Sequence, residues 1–292
     1  MDYVKPADIA SNMLSAGAMK ANLPVKQLLV RGALAGAYLG VATSMAVTAT
    51  VQTGNPIVGA LIFPFGFCLV VLLGTEVITG SFALLPCATL ERKDGAGIGR
   101  VLENWGWVFL GNLLGSVLYA ALLAISLTMD GAADVSLVGK KLIAIAETKT
   151  NGYAVYGSAG MVTVFTKGIL CNWMVSLAVV MAFATTSLVG KIVAMWGPVM
   201  LFFSQGFEHT VVNMFVIPVG MMMGANITVH DWWVWNQIPT TLGNLVGGVV
   251  FTGLAIYLSH RPPKAAAEIS AAARLVPPPD LSETARQVGQ AR

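Results

Sequence analysis

The chain has 292 residues, of which 56 % are apolar and 11 % charged, with a formal net charge of +3 and a mean hydropathy of +0.74. A soluble domain carries about a quarter charged residues, so the composition excludes an ordinary soluble fold. Nothing in so apolar and weakly charged a chain suggests a nucleic-acid partner. The opening stretch, residues 1–27, is not a signal peptide: it lacks a basic start followed by an apolar block, and Asp2 and Asp8 stand where positive charge is expected. Pro6, with Ile9, Met13, Leu14 and Ala18 on one face, predicts a short amphipathic helix at the membrane interface on the cytoplasmic side.

Six apolar runs follow, at 28–51, 57–90, 105–127, 159–188, 192–223 and 238–258. Each reaches the ~20 residues that cross ~30 Å of hydrocarbon as a helix, and all are too long for barrel strands of ~10 residues. The fold class is therefore an all-α membrane protein with six transmembrane helices. Residues 129–157 read as a connecting segment on the outer side, and 261–292, rich in Ala, Pro and charge, as a disordered cytoplasmic tail. Cys68, Cys87 and Cys171 lie inside apolar runs and read as small buried hydrophobes. No metal or redox motif occurs, so neither metal nor cofactor is expected. Trp105, Trp107, Trp232, Trp233 and Trp235 fall at run edges, as in interfacial belts. Of the 17 Lys and Arg residues, 13 fall on the side of the N-terminus and the tail, and Lys140, Lys141, Lys149 and Lys167 on the other. The positive-inside rule places both termini in the cytoplasm of a multi-pass protein of the cell (inner) membrane.

The sequence repeats at an offset of 132 residues without a gap. Gly74 falls on Gly206, Glu76 on Glu208, Pro86 on Pro218, Asn104 on Asn236, Gly-Asn-Leu at 111–113 on Gly-Asn-Leu at 243–245, and Gly115 on Gly247. Arg31-Gly-x-Leu and Lys167-Gly-x-Leu extend the match at a slightly different offset. The two repeats, 28–128 and 158–260, hold three spans each. Three is odd, so the second enters the membrane from the opposite face, and such inverted repeats place their sites near the midplane on discontinuous helices. Spans two and five fit, each being long and carrying a polar interruption, at 75–81 and 206–213. Gly80 supplies the conformational freedom for the first break, and a helix starting there offers free N–H groups and a positive dipole end to an anion.

Glu76, Glu208 and His209 are the notable ionisable residues inside these runs. Charging one in hydrocarbon costs at least ~3 kcal/mol, so each needs a cavity or a partner. The two glutamates read as scaffold, accepting bonds from the broken-helix backbone with Ser81 and Asn213 as neighbours. His209 differs: its repeat partner is Val77, so the symmetry does not require it. An imidazole there either donates a hydrogen bond to a passing anion or lends it a proton. Asn172 either adds amide donors to the same pore or bonds between helices. Lys149 either attracts anions or is an ordinary solvated lysine.

Gly206-Phe-Glu-His-Thr-Val-Val-Asn-Met-Phe215, Lys167-Gly-Ile-Leu-Cys-Asn-Trp-Met-Val175 and Glu76-Val-Ile-Thr-Gly80 together resemble the signatures of the formate/nitrite transporter family. The resemblance covers roughly residues 5–258. It implies an aquaporin-like fold, a homopentamer with one pore per subunit, and a small monovalent anion such as formate or nitrite as substrate. His209 is similar to the family's central pore histidine, Thr79 to the threonine facing it, and Asn172 to a pore asparagine. Phe63 and Phe202 resemble the aromatics of an outer constriction. Phe67, Val77, Ile78 and Val175 fall at inner-constriction positions, where Phe67 and the string Val77-Ile-Thr-Gly-Ser81 depart from the commoner pattern. Lys149 is similar to a lysine that draws anions in and connects with Glu208 and Asn213. The expected function is thus a non-enzymatic channel for weak-acid anions, with protons as a second partner if His209 relays them. An aquaporin-like facilitator of a neutral solute is the alternative, although paired Asn-Pro-Ala boxes do not occur.

Overall fold

The computed structural model describes residues 2–260, so the tail expected at 261–292 lies outside them. Among the described residues the chain is helical apart from connecting turns and one bridge between Tyr3 and Thr185. In chain order the longer helices are α1 (Pro6–Ala21), α2 (Val25–Thr53), α3 (Pro56–Leu72), α4 (Ile78–Leu90), α5 (Ile98–Thr128), α6 (Leu137–Lys149), α7 (Gly157–Met181), α8 (Leu188–Ser204), α9 (Thr210–Met222) and α10 (Val229–His260), with single helical turns at Lys93–Gly95 and Asn151–Ala154. Four of them, α2, α5, α7 and α10, are long and apolar enough to cross a membrane.

Both of the longest apolar runs are interrupted. The chain leaves α3 through 73–77 before entering α4, and leaves α8 through 205–209 before entering α9. Gly74 (φ +61°) and Gly206 (φ +63°) turn the chain at these exits, in a conformation that a Cβ disfavours. Gly80 is not the turn residue. It lies in the first helical turn of α4, where its amide bonds the Val77 carbonyl at 3.1 Å.

Packing relies on close backbone approach, as expected where lipid gives helices little hydrophobic reason to associate. A Cβ at Gly115 of α5 would run into the Ala33 carbonyl of α2, and one at Gly247 of α10 into the Ile169 carbonyl of α7. The same notch thus joins α2 to α5 and α7 to α10. Cys68, Cys87 and Cys171 are buried.

The structure alters the reading of the N-terminal helix and of two tryptophans. Helix α1 turns much of its apolar face to protein: Met13, Ala16, Gly17 and Ala18 are buried, and Gly17 abuts the Leu84 carbonyl of α4. The strand-like strap before α1 bonds the loop after α7, Val4 N–H to the Ala184 carbonyl (2.9 Å) and Thr186 N–H to that of Asp2 (3.1 Å). The connecting segment 129–157 contains α6, capped by Ser136 at the Gly139 amide (3.2 Å) and packed through Ala146 on Gly220 of α9. Two of the tryptophans face inward: Trp232 is buried and donates to Gln237, and Trp105 meets Phe82 edge-on.

Candidate functional site

The N-terminal ends of α4 and α9 meet inside the helical body. Thr79 stands in the first turn of α4 and His209 is the N-cap of α9, with Thr79 Oγ1 and His209 Nε2 3.3 Å apart and both residues buried. His209 Nδ1 accepts the amides of Val211 and Val212, each at 3.2 Å, doing for α9 what an Asn or Ser does at an ordinary N-cap. A nitrogen with two N–H groups aimed at it holds no proton. The neutral ring therefore carries its hydrogen on Nε2, facing Thr79. Val77, at the matching place before α4, has no side-chain acceptor.

An aromatic wall closes one side of the imidazole. Phe202 stacks on His209 with centroids 5.6 Å apart, Phe63 meets Phe202 edge-on at 5.6 Å, and Phe203 stacks on Phe63 at 4.1 Å. The structure thus brings Phe63, Phe202 and His209 together and adds Phe203. Asn172 takes the interhelical alternative: its amide nitrogen donates to the carbonyls of Thr79 (3.1 Å) and Asn244 (2.7 Å), leaving no amide hydrogen for a solute. Its carbonyl oxygen accepts the Ser176 hydroxyl at 3.3 Å.

Two asparagines hold the broken segments. Asn112 accepts the Ile78 amide (2.9 Å) and donates to the Gly32 and Glu76 carbonyls (both 2.8 Å). Asn244 accepts the Thr210 amide (2.9 Å) and donates to the Gly168 and Glu208 carbonyls (both 2.8 Å). The first amide of each half-helix is therefore taken by protein and is not free for an anion.

The glutamates beside the breaks are ion-paired. Glu208 accepts Lys149 (2.8 Å), Asn213 (2.7 Å) and Asn236 (3.2 Å) on Oε2 and the Tyr153 hydroxyl (2.7 Å) on Oε1. Glu76 accepts both its bonds from Lys20, at 2.8 and 2.7 Å. The backbone of each break donates elsewhere: the Glu76 amide bonds the Arg31 carbonyl and the Glu208 amide that of Lys167, both at 3.3 Å. This corrects the expected partners of the carboxylates. Asn213 does reach Glu208, whereas the Ser81 hydroxyl is buried without a partner among the described residues. Asn104 and Asn236 complete the match, donating to the Lys20 (3.0 Å) and Lys149 (2.9 Å) carbonyls. A paired carboxylate is close to neutral as a unit, so neither glutamate repels an anion.

Each pair borders a cavity. One, of about 380 Å³, is lined by Lys141, Thr148, Lys149, Tyr153, Lys167 and Glu208. The other, of about 310 Å³, is lined among others by Lys20, Arg31, Glu76 and Lys191, with Val70, Val77 and Val179 on its apolar wall. Val77 is the one expected inner-constriction residue on that wall; Phe67, Ile78 and Val175 are buried in the apolar core. Lys20 and Tyr153 escaped the sequence reading. The signal for Lys20 was indirect: Glu76 and Asn104 matched Glu208 and Asn236, so a counterpart to Lys149 was due.

A sequence model of the formate/nitrite transporter matches residues 7–258. A probable formate transporter of Methanothermobacter thermautotrophicus is 35 % identical over 275 residues, covering 88 % of this chain and 97 % of that protein. A formate channel of Bacillus thuringiensis is 32 % identical over 270 residues, covering 89 % and 97 %. Among solved structures, one described as an ion channel of this family superposes with a TM-score of 0.72 at 27 % identity over 88 % of this chain and 99 % of that one. A pentameric formate channel with formate bound superposes with a TM-score of 0.64 at 29 % identity, covering 82 % and 98 %.

Proposed function

Since the chain belongs to the formate/nitrite transporter family, we propose that it is a multi-pass membrane channel for formate and similar small weak-acid anions, nitrite among them. The observation that carries this reading is the His209 ring, whose capped Nδ1 leaves Nε2–H beside Thr79 where two helix N-termini converge. Those ends contribute positive potential even with their first amides bonded. The names of the relatives and the formate bound to a similar channel support the same substrate class.

In this reading, α3 with α4 and α8 with α9 each form one broken span, giving six crossings in two inverted three-helix repeats of aquaporin type. The matched bonds of Asn112 and Asn244 support the repeat. The pentameric relative supports a homopentamer, and the Lys and Arg distribution supports cytoplasmic termini in the inner membrane. The Lys149–Glu208 end then faces outward and the Lys20–Glu76 end inward.

An anion arriving beside Lys149 meets the Phe63 and Phe202 rings, which exclude its water. It regains a hydrogen bond from His209 Nε2–H and, through its hydroxyl, from Thr79, and leaves toward Lys20. Asn172 serves by holding the Thr79 carbonyl. A ring protonated on both nitrogens could not accept the Val211 and Val212 amides, so the geometry favours a hydrogen-bond donor over a proton relay at His209. Radiolabelled formate uptake into proteoliposomes tests this. Loss of a hydrogen bond to a charged group, about 1.5–3 kcal/mol, predicts uptake reduced roughly 10- to 100-fold in His209→Asn, which keeps an N-cap acceptor. Wild-type liposomes that pass water but no formate would favour the neutral-solute facilitator instead.

A further inference from the structure

The cavity at the Glu208 end holds more positive charge than the ion pair needs. Three lysines, Lys141, Lys149 and Lys167, line it against one carboxylate, Glu208, and Lys149 is the one that Glu208 neutralises. Lys167 has a defined seat: its Nζ lies 5.5 Å from the centroid of the Tyr153 ring, within cation–π range, while the hydroxyl of that ring donates to Glu208. Lys141 stands two turns before Lys149 on the same face of α6. Among the described residues no carboxylate lies within ion-pair distance of Lys141 or Lys167. The pattern recurs at the other cavity, where Arg31 and Lys191 accompany the Lys20–Glu76 pair and Arg31 matches Lys167 in the repeat.

Resting on the anion-channel reading, we infer that Lys167, seated on Tyr153 and joined by Lys141, forms an anion-gathering subsite ahead of Lys149 that sets how readily the channel loads. A charge held at the edge of a water-filled cavity acts by raising the local concentration of its counter-ion, so it works on loading more than on passage and fades as salt screens it. Lys167 contributes to the break only through its carbonyl, which accepts the Glu208 amide and survives any side-chain exchange. The side chain can therefore be tested apart from the scaffold.

The test is formate uptake into proteoliposomes of the full chain carrying Lys167→Gln, Lys167→Arg, or Lys141→Gln with Lys167→Gln, measured against formate concentration at low and high ionic strength. At low salt the half-saturating formate concentration should rise about fivefold for Lys167→Gln, what a unit charge at about 4 Å is worth in water, and further for the double variant. Maximal uptake should stay near wild type, Lys167→Arg should restore the wild-type value, and the difference should shrink at about 1 M salt, where the Debye length is ~3 Å. An unchanged half-saturating concentration in Lys167→Gln, or a loss confined to maximal uptake, overturns the inference while leaving the channel reading intact. Wild-type liposomes without formate uptake overturn both.

Discussion

His209 Nδ1 is committed to the Val211 amide, and that commitment decides which end of the imidazole the Thr79 hydroxyl can meet. The N-cap and the candidate pore contact are therefore two functions of one ring, and substitutions separate them. His209→Phe removes both, whereas His209→Asn retains an acceptor for α9. Loss of an N-cap costs about 0.5–2 kcal/mol. Thermal unfolding of the purified protein should show His209→Phe destabilised and His209→Asn close to wild type, with formate uptake depressed in both. Equal unfolding temperatures for Phe and wild type would refute the capping role.

Asn112 and Asn244 offer a test of the scaffold. Each satisfies one amide and two carbonyls that water cannot reach, and a buried polar group left without a partner costs about 1–3 kcal/mol. Leu at either position should lower the yield of folded protein on size-exclusion chromatography, and by comparable amounts at the two positions. A benign substitution at one and a lethal one at the other would mean that the matched bonds do not carry matched energies.

The Lys149–Glu208 pair, its carboxylate buried and its ammonium partly so, calls for a double-mutant cycle. Removing one partner of a buried pair costs about 3–5 kcal/mol because the other charge is stranded. Lys149→Met should therefore be severely destabilised, and adding Glu208→Gln should restore much of the stability. Uptake should remain impaired in the double variant, since the Lys149 N–H groups that an arriving anion meets are still gone, although the net charge of the pair is unchanged. Recovery of both together would make the lysine purely structural.

Gly115→Ala and Gly247→Ala weigh two opposing effects. Alanine gains roughly 0.5–1 kcal/mol of helix propensity over glycine, but overpacking costs about 1–3 kcal/mol. Here the added methyl meets a backbone carbonyl of a neighbouring helix, which cannot swing aside. The clash wins, and both variants should unfold at lower temperature than wild type in a fluorescence melt.

Much of this arrangement was legible in one sequence because a repeated sequence contains its own comparison. Asn112 and Asn244 stood out in the two Gly-Asn-Leu matches, and His209 stood out because it broke the match with Val77. What escaped were facts of reach. Gly74 and Gly80 both border the polar interruption, and only the observed backbone shows that Gly74 takes the turn. Ser81 and Asn213 share a repeat position, yet the serine is too short to make the bonds that the amide makes. Lys20 lies 56 residues before Glu76 on a helix outside the apolar runs, so no periodicity connects them.

That last pairing makes the two repeat-related ends unlike. Glu208 is fastened by four side chains drawn from three helices and the turn after α6, whereas Glu76 is held, among the described residues, by Lys20 alone. One end is fastened from several sides, and the other rests on one lysine of α1, whose preceding strap crosses to residues 184–186. A tag fused to the first twenty residues, or a molecule docked on them, therefore bears on the Glu76 carboxylate through Lys20, whereas none of the four side chains that hold Glu208 belongs to that stretch.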